Sequence, residues 1–190
     1  MHKRLIVPHA LFQIMIRRLA HQLIETHRDF SNSVILGLQP RGIFVADRLQ
    51  QTLQEILGIT VQTGYLDITF HRDDFRRRAA PLAPNATKVD FSLEGKRVIL
   101  VDDVLYTGRS VRAALDAMIS YGRPAQVELL VLIDRQYTRD LPIEATYTGQ
   151  RVDSLHSQRV EVTWQGPDSP EDVIWLLTLT PDQEEPHATA

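Results

Sequence analysis

The sequence predicts an α/β fold in which a parallel sheet is flanked by helices. Three observations carry this. Val34–Leu38, Val98–Val101 and Val127–Ile133 are unbroken apolar runs, as strands buried on both faces are. Stretches of helical period stand between them, which is the order that produces parallel neighbours. Gly and Pro punctuate the joints, at Pro8, Gly58, Gly122 and Pro124.

Taken in order, Pro8 opens a helix whose apolar stripe is Phe12, Met15, Ile16, Leu19 and Leu23. Arg17, Arg18, His21 and Arg28 lie off that stripe. The strand Val34–Leu38 runs into the turn Gln39-Pro40-Arg41-Gly42. A helix over Ile43–Leu57 follows, closed by Gly58. Val61–Phe70 is β-rich and reads as one strand. From His71 to Leu93 there is no period, two prolines (Pro81 and Pro84) and many charges. A loop of that length is functional or disordered. Val98–Val101 is a strand ending at Asp102-Asp103. A helix over Ser110–Tyr121 comes next, then the strand Val127–Ile133 and short strands at Arg159–Trp164 and Asp172–Leu179. The expected organisation is one domain over residues 1–181 and an acidic, flexible tail over 182–190.

Composition narrows the function classes. The 190 residues are 43% hydrophobic, within the globular range. There is no cysteine, which excludes disulfides, zinc–thiolate sites and cysteine nucleophiles. Leu5-Ile6-Val7 is too short for a signal peptide core, and no apolar run spans a bilayer, so a cytoplasmic protein with no membrane partner is expected. Net charge is −3, but six of the 24 acids and none of the 21 basic residues fall between Gly166 and Ala190. Residues 1–165 therefore carry +3, and total charge does not dismiss an RNA partner. No HExxH, GxSxG or GxxxxGK[ST] pattern occurs. His2, His9, His27, His156 and His187 read as surface residues, and Trp164 and Trp175 as packing.

The chemistry concentrates in Val98–Ser110. A buried strand delivers Asp102 and Asp103 to its C-terminal end, where open α/β sheets place ligands. Thr107-Gly108-Arg109-Ser110 then enters a helix, and amides at a helix start with two hydroxyls make a phosphate cradle. Carboxylates beside such a cradle repel phosphate but suit sugar hydroxyls or hydrated Mg²⁺. A sugar carrying phosphate groups on both sides matches this arrangement.

This stretch resembles the signature of type I phosphoribosyltransferases that binds 5-phosphoribosyl-1-pyrophosphate (PRPP). With Asp67-Ile68-Thr69, Arg72-Asp73-Asp74, the Gly37–Ala46 run, Asp134-Arg135 and Leu141-Pro142-Ile143, it is similar to the bifunctional pyrimidine-operon regulator / uracil phosphoribosyltransferase family. The matches are collinear from about Phe12 to about Val162.

The resemblance implies a type I phosphoribosyltransferase fold with a small hood and a flexible catalytic loop over His71–Leu93. It implies that Asp102 and Asp103 bind the ribose hydroxyls, and that Thr107, Gly108, Arg109 and Ser110 hold the 5′-phosphate with Val104, Leu105 and Tyr106 leading into them. Gln39, Pro40, Arg41 and Gly42 would form the pyrophosphate loop, with Pro40 standing where threonine is expected. Arg72 would reach the leaving pyrophosphate when the loop closes, and Arg76-Arg77-Arg78 would attract the polyanion. Arg135 would lie near the nucleotide. Mg²⁺ would come mainly with PRPP, with Asp102 and Asp103 as further oxygen ligands.

The substrates implied are PRPP and uracil, the products UMP and pyrophosphate, and the assembly a homodimer or higher oligomer. RNA binding to pyrimidine-operon leaders would use the basic face of Arg17, Arg18, His21 and Arg28. A phosphoribosyltransferase for another base, such as a purine, and a non-catalytic PRPP or nucleotide sensor remain as alternatives.

Overall fold

The computed structural model describes residues 2–73, 85–137, 139–155, 157–167 and 169–178. In order they form β1 (His2–Val7), α1 (His9–His27), β2 (Ser33–Leu38), α2 (Gly42–Leu57), β3 (Thr63–Leu66) and a 3-10 turn (Thr69–His71). Then come β4 (Arg97–Leu105), α3 (Arg109–Met118), a 3-10 turn (Ile119–Tyr121), β5 (Gln126–Gln136), β6 (Tyr147–Asp153), β7 (Gln158–Thr163) and β8 (Val173–Thr178).

The main sheet has five strands in the order β3-β2-β4-β5-β6, and every neighbouring pair is parallel. Strand alternation divides the interior into two cores. On β4, Ile99 and Val101 pack with α1 and α2, whereas Val98 and Leu100 pack with α3. On β5, Leu130 and Leu132 join the first core, and Leu129 and Val131 the second. Both faces are thus covered, as continuous apolar strands require.

A second, antiparallel sheet of three strands, β1-β8-β7, stands at the α1/α2 side and shares that core through Val160, Val162, Ile174 and Leu176. It is the small hood. β1 carries no strand signal of its own: most of it is exposed, and register with β8 is what makes it a strand. The hood is joined to α2 by Arg48, whose Nε and Nη2 donate to the buried Asp172 carboxylate at 2.7 and 2.5 Å. Trp164 packs between Phe12 and Phe44, a core role as expected.

Three expectations are corrected. The strand expected over Val61–Phe70 is only Thr63–Leu66. Asp67 Oδ1 accepts from the Thr69 N–H and hydroxyl, at 3.2 and 2.7 Å, and turns the chain into the 3-10 turn. β4 does not stop at the acids but continues to Leu105, paired with β5 as far as Asp134. His27 is buried, not at the surface. The tail over 182–190 and Arg76-Arg77-Arg78 lie outside the described residues.

His27 ends the buried stripe of α1 in a polar cluster at the N-terminal edge of the sheet. Its Nδ1 is 2.8 Å from Ser33 Oγ and its Nε2 is 3.0 Å from Glu128 Oε2, with Tyr147 and Arg97 also facing Glu128. Burial lowers the His27 pKa from 6.5, opposed by the nearby Glu128 charge and reinforced by Arg97. The unfolded chain therefore holds this proton more tightly than the folded one. Its contribution to stability is complete above about pH 6.5 and declines as pH falls below that toward the lower folded value. Glu128→Ala removes the partner that these groups share and is expected to lower unfolding free energy by about 1–3 kcal/mol. Urea denaturation checks this, and an unchanged midpoint contradicts it.

Candidate active site

The loops that follow β2, β3, β4 and β5 all leave the same, C-terminal edge of the parallel sheet, where open α/β sheets bind ligands. Four sequence-predicted segments meet there.

The first is Gln39–Gly42, between β2 and α2. The Gln39-Pro40 peptide is cis. Gln39 is anchored on both sides: its N–H donates to Leu66 O at 3.0 Å and its Nε2 to Ala86 O at 2.8 Å. Gly42 opens α2 hard against β4, where an added Cβ would stand 2.2 Å from Val101 O and 3.0 Å from Asp102 Cα. That close approach carries Arg41 onto the acids. Arg41 Nε donates to Asp103 Oδ2 at 2.6 Å, and its Nη2 donates to Val162 O of β7 at 2.5 Å. One guanidinium thus ties the β2 turn, the end of β4 and the hood together.

The second segment is the end of β4. Asp103 is buried and Asp102 partly exposed. Asp102 Oδ1 accepts from the Asp103 N–H at 2.9 Å. Removal from water, reinforced by the adjacent Asp103 charge, raises the Asp102 pKa well above that of an ordinary carboxyl. Such a pair favours a cation or hydroxyl donors as company. Among the described residues no group of three or more His, Cys, Asp or Glu converges as a metal cage. The two carboxylates are hard oxygen donors of the kind Mg²⁺ accepts alongside phosphate oxygens and water.

The third is the turn into α3. Gly108 is left-handed at φ 91° and caps the helix, accepting from the Arg112 N–H at 3.0 Å. Thr107 Oγ1 accepts from the Arg109 N–H at 3.4 Å. The turn is braced from below: Thr107 O accepts from the N–H groups of Asp140 and Leu141, and Ile143 packs where a Gly108 side chain would sit. Arg109 is exposed and held between Asp73 and Asp140 at 2.6 and 3.1 Å, contacts that raise its pKa further. Arg72 lies at this end of the site, its Nη1 donating to Ser110 Oγ at 3.4 Å.

The fourth follows β5. A cleft of about 390 Å³ is lined in part by Asp134, Gln136, Arg139, Ile143 and Arg151. Arg139 Nη2 donates to Asp134 at 2.5 Å, and its Nη1 donates to Tyr106 O, joining the cleft to the β4–α3 loop. Arg135 is buried at this edge. It donates to Ser154 Oγ at 2.8 Å and to Gln158 O at 2.7 Å, and its guanidinium lies 4.0 Å from the Tyr106 ring centroid. It therefore supports Tyr106 and braces β5 against the β6–β7 turn. Arg139, Asp140 and the Val162 carbonyl had no sequence signal: the first two stand in an irregular loop, and the third is backbone.

Arg17, Arg18 and His21 are exposed on α1, and Arg28 is exposed just past its end, at φ 56°. Arg18 also holds the edge strand β6, donating to Gly149 O at 2.5 Å.

The phosphoribosyl transferase domain model matches residues 6–165. The chain is 45% identical over 163 residues to the bifunctional protein PyrR of Pelotomaculum thermopropionicum, covering 86% of this chain and 90% of the relative. It is 42% identical over 159 residues to the bifunctional protein PyrR of Geobacter sp. strain M21, covering 84% and 89%. A crystal structure of Trypanosoma cruzi hypoxanthine phosphoribosyltransferase superposes with a TM-score of 0.68 over 93% of this chain and 97% of that one. At 15% identity it shares the fold alone. The extent of these matches, on a sheet edge that brings Arg41 to Asp103 and an amide-rich turn beside them, places the chain in the phosphoribosyltransferase family, among the bifunctional PyrR proteins.

Proposed function

We propose that the protein transfers the phosphoribosyl group of PRPP to uracil, giving UMP and pyrophosphate, and that it also regulates pyrimidine operons by binding leader RNA in the cytoplasm. The observation that supports the transferase reading best is the meeting of three parts at one sheet edge. Asp102 and Asp103 end β4, Arg41 reaches them from the β2 turn, and Thr107–Ser110 open α3.

In this reading Thr107, Gly108, Arg109 and Ser110 hold the 5′-phosphate with helix-start amides and hydroxyls. Asp102 and Asp103 accept hydrogen bonds from the ribose hydroxyls. Arg41 exchanges Asp103 for the diphosphate, which its fork of donors matches. Asp102 and Asp103 would be the oxygen ligands the protein offers to Mg²⁺ brought in with PRPP, and that ion would supply neutralisation of charge on the leaving pyrophosphate. Uracil enters the cleft after β5, and its N1 bonds to C1′ as the C1′–O bond breaks; pyrophosphate leaves with the electron pair of that bond, and the N1 proton passes to water or the departing pyrophosphate. The protein's work is positioning and electrostatic complementarity rather than proton transfer.

A panel of bases with PRPP and Mg²⁺, read by pyrophosphate release, tests this. Uracil is expected to be the substrate. Turnover with a purine alone would make it a transferase of another base, and no turnover with retained PRPP binding would make it a sensor. The regulatory activity is supported by the exposed basic face of α1 and by family membership. A gel shift with pyrimidine-operon leader RNA is expected to strengthen when UMP is added and to weaken with salt. Absence of a UMP-dependent shift removes that half of the proposal.

A further inference from the structure

The chain segment His71–Asp73 lies across the first turns of α3, and three α3 side chains grip it. Arg112 Nη2 donates to His71 O at 3.1 Å. Arg109 Nη1 donates to Asp73 Oδ2 at 2.6 Å, and Arg112 Nη2 lies 3.9 Å from the same oxygen. Between these two arginines, Ser110 Oγ accepts from Arg72 Nη1 at 3.4 Å. The contacts alternate along three consecutive residues: backbone carbonyl, guanidinium, carboxylate.

The segment's other end is also fixed. Asp67 N–H donates to Thr87 Oγ1 at 3.1 Å, and Tyr65 and Lys88 exchange backbone hydrogen bonds at 2.9 and 2.8 Å. The chain that leaves β3 thus has a defined track, and Asp73 is its last described anchor before residue 85.

Stability does not account for this arrangement. The Asp73 and Arg109 side chains are 40% and 50% exposed, and pairs so placed contribute little to folding free energy. What the pair does control is direction. Arg109 and Arg112 are one turn apart on α3, so a carboxylate between them sets where the neighbouring Arg72 can go. That place is Ser110, in the turn assigned to the 5′-phosphate. Arg109 is held from the opposite side by Asp140, whose N–H bonds to Thr107 O of the same turn. The arginine that opens α3 is therefore oriented by two acids, one from each neighbouring loop.

We propose that Asp73 is a positioning residue: by bridging Arg109 and Arg112 it places Arg72 at the phosphate cradle and couples that cradle to the segment following β3. The inference rests on the transferase reading above. Asp73 itself touches no reacting atom.

Steady-state kinetics with uracil, PRPP and Mg²⁺ test it. Asp73→Asn is expected to lower kcat about tenfold or more, since small misplacements near the chemistry are that damaging. KM for PRPP should rise as well, because Arg109 and Ser110 belong to the phosphate cradle, while the melting temperature should change little and Asp73→Glu should recover part of the loss. Asp116→Asn removes the other carboxylate that pairs with Arg112, at 2.9 Å, without touching the segment, and should leave kcat unchanged. In a double-mutant cycle with Arg109→Ala the two losses should be markedly less than additive. Wild-type kcat in Asp73→Asn, equal losses in Asp73→Asn and Asp116→Asn, or additive losses in the cycle each overturn the inference while leaving the transferase reading standing. A wild-type protein that releases no pyrophosphate with any base overturns both.

Discussion

Replacing Asp103 with Asn is expected to leave a folded protein that has lost most of its PRPP-dependent turnover. The change keeps the shape of a buried side chain, so the packing at the end of β4 is retained. It removes the charge and turns one acceptor oxygen into a donor. The amide keeps one oxygen able to accept from Arg41 Nε, 2.6 Å away in the native pair, but the ion pair is lost. Arg41 is 42% exposed and can take water instead, which keeps the stability loss small. The ribose hydroxyls have no such substitute. Hydrogen bonds to a charged group contribute about 1.5–3 kcal/mol, which corresponds to roughly a tenfold to hundredfold fall in kcat/KM for PRPP. Steady-state kinetics with PRPP varied, beside a thermal unfolding curve, measure both quantities. Wild-type kcat/KM in a folded variant would remove Asp103 from the site.

Gly42→Ala is expected to have the larger structural effect. The added methyl would meet the Val101 carbonyl oxygen at 2.2 Å and Asp102 Cα at 3.0 Å. Both are backbone atoms of a central strand and cannot rotate aside as a side chain can. Either the start of α2 or the end of β4 must move. Overpacking of this kind typically lowers stability by about 1–3 kcal/mol. Arg41 precedes Gly42, so the same movement separates it from Asp103, and PRPP affinity should fall with stability. Gly58→Ala is the contrast. Nothing lies within 4 Å of its added methyl, although its φ is 70°. It should cost about 1–2 kcal/mol through left-handed strain and leave PRPP affinity unchanged. Calorimetric titration with PRPP and Mg²⁺, together with denaturant unfolding, separates the two variants. Equal PRPP affinity in both would mean that the contact of α2 with β4 does not position the site.

Elements buried on two faces were legible in the sequence because burial leaves no choice of residue. β2, the apolar half of β4, and β5 are continuous aliphatic runs, and α1 shows its stripe at the helical period. A strand whose own residues are mostly exposed was not legible. β1 becomes a strand by pairing with β8, and its own pattern is mostly exposed. His27 was misread because a histidine at the end of an amphipathic stripe looks the same whether it meets water or Glu128. The partner lies on β5, and only the parallel register of the sheet brings the two together.

The same division runs through the site. By itself, the order of residues determined that adjacent acids follow a buried strand, that an amide-rich turn with hydroxyls follows them, and that a Pro-Arg-Gly turn follows the neighbouring strand. These are local consequences of burial, backbone freedom and helix starts, all encoded within a few positions. Tertiary structure alone decided that Arg41 meets Asp103 and the Val162 carbonyl, that Arg135 lies under Tyr106, and that Asp73 and Asp140 orient Arg109. Each of these pairs joins segments far apart in the chain, and their meeting depends on strand order and on how closely α2 and α3 approach the sheet, which no local pattern carries.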